Sequence, residues 1–445
     1  MALAAKQTGK QHRMMSVVNL QQADNPYQQM FEIWLEQCAH SGENAAWLQW
    51  RQQAFSRFLQ LGLPTKKNER WKYARLGALG EARFQPRVVP AVQADSLPLP
   101  APCHHLLLAN THPVTQPSLP AGLALQVVDG TSPMPASLQR LLEASRDGVA
   151  ALALAFAQRT IQINLAEDTM VEEPLVLDHL CQGQMQVEHG ILLIHLGRNS
   201  RMNVLERLTG SGEYWRNQRI HVVLEESAEL HHLCLQQESP TSWHHADLLA
   251  DITSHAHYRQ IFIASGANVA RMAADIHLSG EQAQASCHTL YMGAENQQLE
   301  QSLHMHHDAK NTRSKQHVRG LLAGKSQGIF YGSITVPEAV TGCAAHQQSK
   351  ALLLSPEAEA DNRPELTILN DQVECSHGAA IGNLDEEALY YLQARGIDKQ
   401  EATGLMVGAF AHALLEELPE TSLRNWLIEQ TSPLLEKVSR HDSRR

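Results

Sequence analysis

From Thr160 the chain alternates polar and apolar residues, as in Thr160-Ile161-Gln162-Ile163-Asn164-Leu165, and this period of two predicts a strand. Short strands of the same kind dominate up to about Ile381. Ahead of them the pattern is helical. One helical stretch begins after Asn25-Pro26 with Phe31, Ile33, Trp34 and Leu35, continues through Ala46 to Leu61, and is closed by Leu61-Gly62-Leu63-Pro64. The eight prolines between Pro86 and Pro120 predict irregular connections and short strands. A further helix is expected over roughly Ala136 to Gln158.

Within the strand region, small or polar corners followed by alternating residues recur at Ser200, Ala228, Ala256 and Ala283, at steps of 28, 28 and 27 residues. Cys181, Cys234, Cys287 and Cys343 stand 53, 53 and 56 apart, close to two such steps each. A period of this size fits a solenoid in which each turn covers its neighbour, and a parallel β-helix is the architecture expected; an antiparallel sandwich or barrel is the alternative. The 5% aromatic content favours a narrow, aliphatic interior.

The last 60 residues return to helix. Asn383 with Glu386 forms a capping pair, Asp385 to Glu387 place negative charge in the first turn, and Arg395-Gly396 closes the helix. Asp398 with Glu401 opens a second helix carrying Ala402, Leu405, Met406, Ala409, Phe410, Ala413 and Leu414 as one apolar face, either core or a partner-binding surface. Leu418-Pro419 stops it, and Leu423, Trp426, Leu427, Leu434 and Leu435 predict a final helix. The regions expected are 1–157 (helical and mixed, with 1–14 an extension behind Met14-Met15), 158–382 (coils) and 383–445 (helical).

Composition narrows the function. Lys and Arg number 36 against 47 Asp and Glu, a net charge of -11 over 445 residues, which argues against nucleic acid as a partner. Charged residues at 19% and a mean hydropathy of -0.30 argue against a disordered or membrane-embedded chain. The apolar run Ala2 to Ala5 is too short for a signal peptide, and seven cysteines without a CxxC pair predict a reduced, cytoplasmic protein.

Among chemical candidates, Gly324-Lys325-Ser326 looks like the end of a phosphate-binding loop, but Arg319 holds the place of its first glycine, so a turn is expected and no nucleotide is expected to bind or be hydrolysed. His304, His306 and His307, with His255 and His257, have same-face strand spacing but no nearby acid or thiol in sequence. Cys375 and His377 are two apart on an expected strand and bring a thiolate and an imidazole to one side. Two ligands cannot close a shell around iron, so the pair is either structural or a half-site completed by a partner.

The segment from Lys315 to Phe410 carries Gly328-Ile329-Phe330-Tyr331-Gly332, Ala345-His346-Gln347-Gln348-Ser349, Pro364-Glu365-Leu366, Cys375-Ser376-His377-Gly378-Ala379 and Leu384-Asp385-Glu386-Glu387-Ala388-Leu389-Tyr390-Tyr391-Leu392. With Gly62-Leu63-Pro64 and Glu69-Arg70-Trp71-Lys72-Tyr73 upstream, it resembles the SufB/SufD family of iron-sulfur cluster assembly proteins. The resemblance implies a right-handed parallel β-helix between N- and C-terminal helical regions, and a non-catalytic scaffold paired with SufB in a heterodimer that carries the ABC ATPase SufC. It also implies that Cys375 and His377 serve a transient iron-sulfur cluster at the SufB interface. SufC is expected on the C-terminal helices, with Asp385, Glu386, Ala402, Leu405, Met406 and Phe410 as partner-binding positions. Two other readings stay open: a homodimeric metal-delivery protein, and a β-helix enzyme acting on polysaccharide, against which Asp247, Asp251 and Asp275 are dispersed in sequence.

Overall fold

The computed structural model describes residues 25–81, 83–86, 98–110, 112–416 and 422–440, the side chain of residue 422 excepted. The extension at 1–14 and the helix stop at Leu418-Pro419 lie outside these residues. The first helical stretch is two helices, α1 (Pro26–His40) and α2 (Ala45–Leu61). The chain breaks between them because Gly42 takes φ +83° and Asn44 starts a new helix, accepting from the Trp47 amide at 3.2 Å. The helix expected over 136–158 is likewise divided, into α3 (Ser137–Glu143) and α4 (Gly148–Ala155), where Asp147 accepts from the Ala150 amide at 3.0 Å. An aromatic cluster, with Phe31 stacked on Phe55 at 4.0 Å, joins these helices to Ile191, Leu193, Trp215 and Trp243 on the outside of the first sheet.

Four short strands precede the coils: β1 (Gln85–Pro86), β2 (His104–Ala109), β3 (His112–Pro113) and β4 (Leu123–Val128). Sixteen strands then alternate between two sheets. The first sheet holds β5 (Arg159–Leu165), β7 (Gln186–Leu196), β9 (Tyr214–Leu224), β11 (Trp243–Ile252), β13 (Val269–Leu278), β15 (Gln298–His307), β17 (Gln327–Val336) and β19 (Glu359–Ile368). The second holds β6 (Leu175–Gln182), β8 (Arg201–Ser211), β10 (Glu229–Gln237), β12 (His257–Ala264), β14 (Gln284–Gly293), β16 (Arg313–Leu322), β18 (Ala344–Leu353) and β20 (Glu374–Gly382). Each strand pairs in parallel with the one two places along, which is a parallel β-solenoid of eight coils. At one end the progression stops on reversed strands, β4 antiparallel to β5 and β3 antiparallel to β2; at the other it stops on β19 and β20.

The repeat has a structural cause. Arg201, Glu229, His257 and Gln284 are register partners, and the residue turning each corner before them has positive φ: Asn199, Ser227, His255 and Gln282. The cysteine spacing does not share that cause. Cys287 pairs with Gln260, which pairs with His232, whereas Cys234 pairs with Phe262, so the cysteines occupy different columns and their near-regular spacing is coincidental.

Inward positions such as Leu192, Ile194, Val204, Leu230, Leu248 and Ile276 form the main core. The outer face of the second sheet presents Leu205, Leu233, Ile261, Leu290 and Leu321, and is covered by the C-terminal helices. These are α5 (Glu386–Ala394), α6 (Lys399–Leu415) and α7 (Ser422–Ser439). The cap of α5 is Asp385 rather than Asn383: its carboxylate accepts from the amides of Glu387 and Ala388 at 2.9 and 3.1 Å, which places the first helical turn two residues later. Asp398 caps α6 as expected, accepting from the Glu401 amide at 2.9 Å.

Candidate functional site

β20 is the terminal strand of the second sheet, and among the described residues it has no neighbour past β18. Along it Cys375 pairs in register with Ala345 and His377 with Gln347. Following each column back, Cys375 continues Ser314 and Ala285, while His377 continues Gln316, Cys287, Gln260 and His232. All are inward positions, so the pair faces the bore of the solenoid at its uncovered end. Cys375 packs on the core and is half-buried; His377 is exposed, because no later coil roofs it. Burial pushes the Cys375 thiol up, and the neighbouring Cys343 adds to this, so holding a thiolate there requires a metal or another positive group. Behind the pair, Gln347 donates to Gln316 at 2.7 Å, and beside it the His346 ring lies 2.9 Å from the Ser376 hydroxyl. Among the described residues no three His, Cys, Asp or Glu side chains gather to hold a metal, and the pair by itself offers two donors.

Deeper in the bore lies a polar network that local sequence spacing does not reveal. Arg216 donates to Glu238 at 2.8 Å and to Glu188 at 3.2 Å, and His244 lies 2.7 Å from the second Glu238 oxygen. Glu206 accepts from Gln218 at 2.8 Å and lies 2.9 Å from His232 and 3.4 Å from His179. Burial raises the Glu238 carboxyl, but His244 and Arg216 override it and hold it at about 2; against the same burial, His179 and His232 hold the Glu206 carboxyl well below its ordinary range. Apart from Glu238 and His244, six residues apart, the partners stand 12 to 28 residues apart and meet only because the chain coils. The ionised groups are thereby matched within the bore.

The scattered histidines have local duties. His304 lies between the hydroxyls of Ser302 and Ser333, at 2.9 and 2.7 Å, and His307 between those of Thr312 and Ser314, both at 2.8 Å. His306 stacks on His277 at 4.4 Å and lies 3.4 Å from Asp275. An acid does therefore accompany this group, supplied by the preceding coil. His255 turns a corner and His257 opens β12. Asp251 and Asp275 are ion-paired with arginines, Arg140 for Asp251 and both Arg70 and Arg146 for Asp275, and Asp247 pairs with Arg219. Gly324-Lys325-Ser326 is a turn between β16 and β17, with Gly324 at φ +64° and Lys325 bonded to Glu357 at 2.8 Å.

On the C-terminal helices, Asp385, Glu386 and Leu405 are exposed, Leu405 to 52%, and Met406 and Phe410 are half-buried. Ala402 is fully buried, so it offers no surface to a partner. The inward face of α6 is Thr403, Val407, Ala411 and Leu414, rotated from the stripe read in sequence. The helix is apolar nearly all round, so its residues alone do not fix which side faces the sheet. Phe410 is held by Arg319, whose guanidinium lies over its ring at 5.1 Å and donates to its carbonyl.

A coiled scaffold with a thiol and an imidazole at its uncovered end defines the class. The profile described as SUF system FeS cluster assembly, SufBD core domain, matches residues 179–410, just over half of the sequence, and the chain belongs to this family. It is 27% identical over 394 residues to "Iron-sulfur cluster assembly protein SufD" of Escherichia coli (strain K12), covering 85% of this chain and 90% of that protein. It is also 27% identical over 274 residues to "Protein ABCI7, chloroplastic" of Arabidopsis thaliana (59% of this chain, 58% of that one), and 29% identical over 216 residues to "Iron-sulfur cluster assembly SufBD family protein slr0076" of Synechocystis (48% and 47%). The chain is thus a SufD-type iron-sulfur assembly protein. No helix among its described residues is long and apolar enough to cross a membrane.

Proposed function

We propose that this chain is a non-catalytic scaffold subunit of the cytoplasm that pairs with SufB through the uncovered end formed by β19 and β20, and presents Cys375 and His377 to a nascent iron-sulfur cluster shared across that interface. SufC docks on α5 and α6 and consumes the ATP; Leu405, with Asp385 and Glu386 at the start of α5, forms the accessible part of that surface. Residues 1–157, 158–382 and 383–445 act as an outer cover, the coil scaffold and the docking arm.

The observation that carries this reading is the location of the pair: two inward-facing donors on the last strand of a sheet whose edge meets no further strand among the described residues. A strand edge of this kind recruits another strand, and a partner arriving there supplies the missing ligands in the same act. Co-expression with SufB and SufC, purification without oxygen and absorption spectroscopy after iron and sulfide loading test it. The complex should acquire a cluster spectrum that the chain alone does not, and His377→Ala should lose most of it. A spectrum of equal intensity in the Cys375→Ala/His377→Ala complex would refute the assignment, and a stable homodimer with full cluster loading would favour the metal-delivery reading.

A further inference from the structure

The bore beneath the uncovered end carries a short ladder of carboxamides with a fixed polarity. Gln316 on β16, Gln347 on β18 and His377 on β20 are successive register partners in one inward column, each about 4.8 Å from the next. Gln316 directs its Nε2 to the Ser333 carbonyl, 3.5 Å away, and Gln347 directs its Nε2 to the Gln316 Oε1 at 2.7 Å. The Ser333 carbonyl can only accept, so it decides which way both amides face. Turning Gln316 over would set oxygen against oxygen, and turning Gln347 over would do the same at the next step. Room for the second amide comes from Gly332 on β17, where a Cβ would collide with the Gln347 side chain.

The ladder therefore ends on an acceptor. In an in-register stack of amides, a nitrogen turned towards one neighbour leaves the oxygen turned towards the other, and the other neighbour of Gln347 is His377. Gln347 is only 3% exposed, and its Oε1 is buried without a hydrogen-bond partner among the described residues. An acceptor left in that state is a standing cost to the fold. His377, one layer further out, is exposed, and an exposed ring changes rotamer within nanoseconds.

We propose that Gln347 is the positioning residue of His377: its Oε1 accepts from one ring N–H of the neutral imidazole, fixes the tautomer, and leaves the lone pair of the other nitrogen for iron. The inference rests on the reading of Cys375 and His377 as donors to a nascent cluster. An imidazole that ligates a metal ordinarily has its opposite N–H held by an oxygen of this kind, which orients the ring and raises its basicity. Here the oxygen comes from within the fold, so this chain sets the direction of the imidazole while the remaining ligands arrive from outside. Cys375 has no such support, since Ala345 stands behind it in its column and offers no polar side-chain atom.

The test has a spectroscopic arm and a loading arm. The full chain is labelled with heavy nitrogen in its histidines and observed by NMR at about pH 8.5, where an ordinary imidazole is neutral; His377 is assigned by the signals missing from His377→Gln. It should show one pyridine-like and one pyrrole-like nitrogen, the mark of a single tautomer, and Gln347→Met should convert these to two averaged signals. Gln347→Glu keeps an acceptor towards His377 but loses the amide donor to Gln316. It should therefore hold the single tautomer, whereas a role confined to the ladder makes it as damaging as Gln347→Met. In the complex with SufB and SufC, loaded with iron and sulfide without oxygen, Gln347→Met should lower cluster acquisition by about tenfold or more, and Gln347→Glu should restore most of it. Averaged signals in the wild-type chain, or a Gln347→Glu variant as impaired as Gln347→Met in both arms, overturn the proposal. Undiminished loading of His377→Ala overturns the cluster-donor reading and this inference with it; undiminished loading of Gln347→Met beside a defective His377→Ala overturns this inference alone.

Discussion

Arg216 is the most instructive residue to remove. It is 2% exposed, inside the bore, and its guanidinium donates to Glu238 at 2.8 Å, to Glu188 at 3.2 Å, and to the carbonyls of His179 and Thr209 at 3.3 and 3.4 Å. Arg216→Met fills much of the same volume but leaves two carboxylates without their common cation. At an effective dielectric of about 20, each contact is worth roughly 5 kcal/mol of Coulomb attraction, offset by desolvation of the guanidinium. The net cost of breaking such a buried arrangement from one side is about 3–5 kcal/mol. Glu188→Leu/Arg216→Met/Glu238→Leu removes every charge of the triad together and should recover most of that loss, because no ion is left stranded. Urea unfolding followed by near-ultraviolet circular dichroism reads both, with midpoints compared at constant slope. A single-variant cost below about 1 kcal/mol, or a triple variant as unstable as the sum of its parts, would mean that water reaches the bore and screens the network.

Other outcomes are expected as well. Because Glu238 is held at about 2 in the fold against an ordinary 4.5, its contribution is fully present above pH 4.5 and is lost as pH falls towards 2, on the order of 3 kcal/mol, so Glu238→Gln should flatten the acid limb of a stability profile. Cys375→Ala and His377→Ala should each change stability by less than about 1 kcal/mol, since both sit on an end strand, while His377→Ala sharply lowers maturation of an iron-sulfur enzyme in cells; full maturation in the combined variant contradicts the site. Leu405→Glu should weaken SufC capture at least about tenfold without unfolding α6, as read by pull-down and far-ultraviolet circular dichroism. A chain ending at Ile381 should instead aggregate, because it strips Val407, Ala411, Leu414 and Trp426 from the apolar face of the second sheet; a soluble, monomeric product by light scattering would contradict the packing.

The coil period was legible because each corner needs a left-handed residue and each strand must return to the same inward parity, constraints that leave marks 27 to 28 residues apart. The cysteines left a similar trace without any shared position, since spacing alone does not encode register. Helix breaks at Ser41 and Ala144 were missed although the caps Asn44 and Asp147 were in view; apolar residues on both sides continue the pattern across each break. The two-residue interval between Cys375 and His377 gave their common side. That this side is the bore follows from Ala345 and Gln347 beneath them, which only pairing reveals. The bore network was invisible for the same reason: Arg216 finds Glu188 and Glu238 at 28 and 22 residues' distance, and nothing next to it in sequence announces either.

The two ends of the solenoid differ in a way that limits how it can grow. At the first, the coils terminate on strands running the other way, one of them only the pair His112–Pro113, whose proline has no amide to donate. At the last, β19 and β20 keep the direction of the stack and leave a full row of amides and carbonyls to be met. In the language of polymer chemistry the chain is a monofunctional monomer. Its single reactive terminus can be consumed once, so joining like to like or like to relative yields a pair and ends there, without the filament that a solenoid with two equivalent ends would propagate.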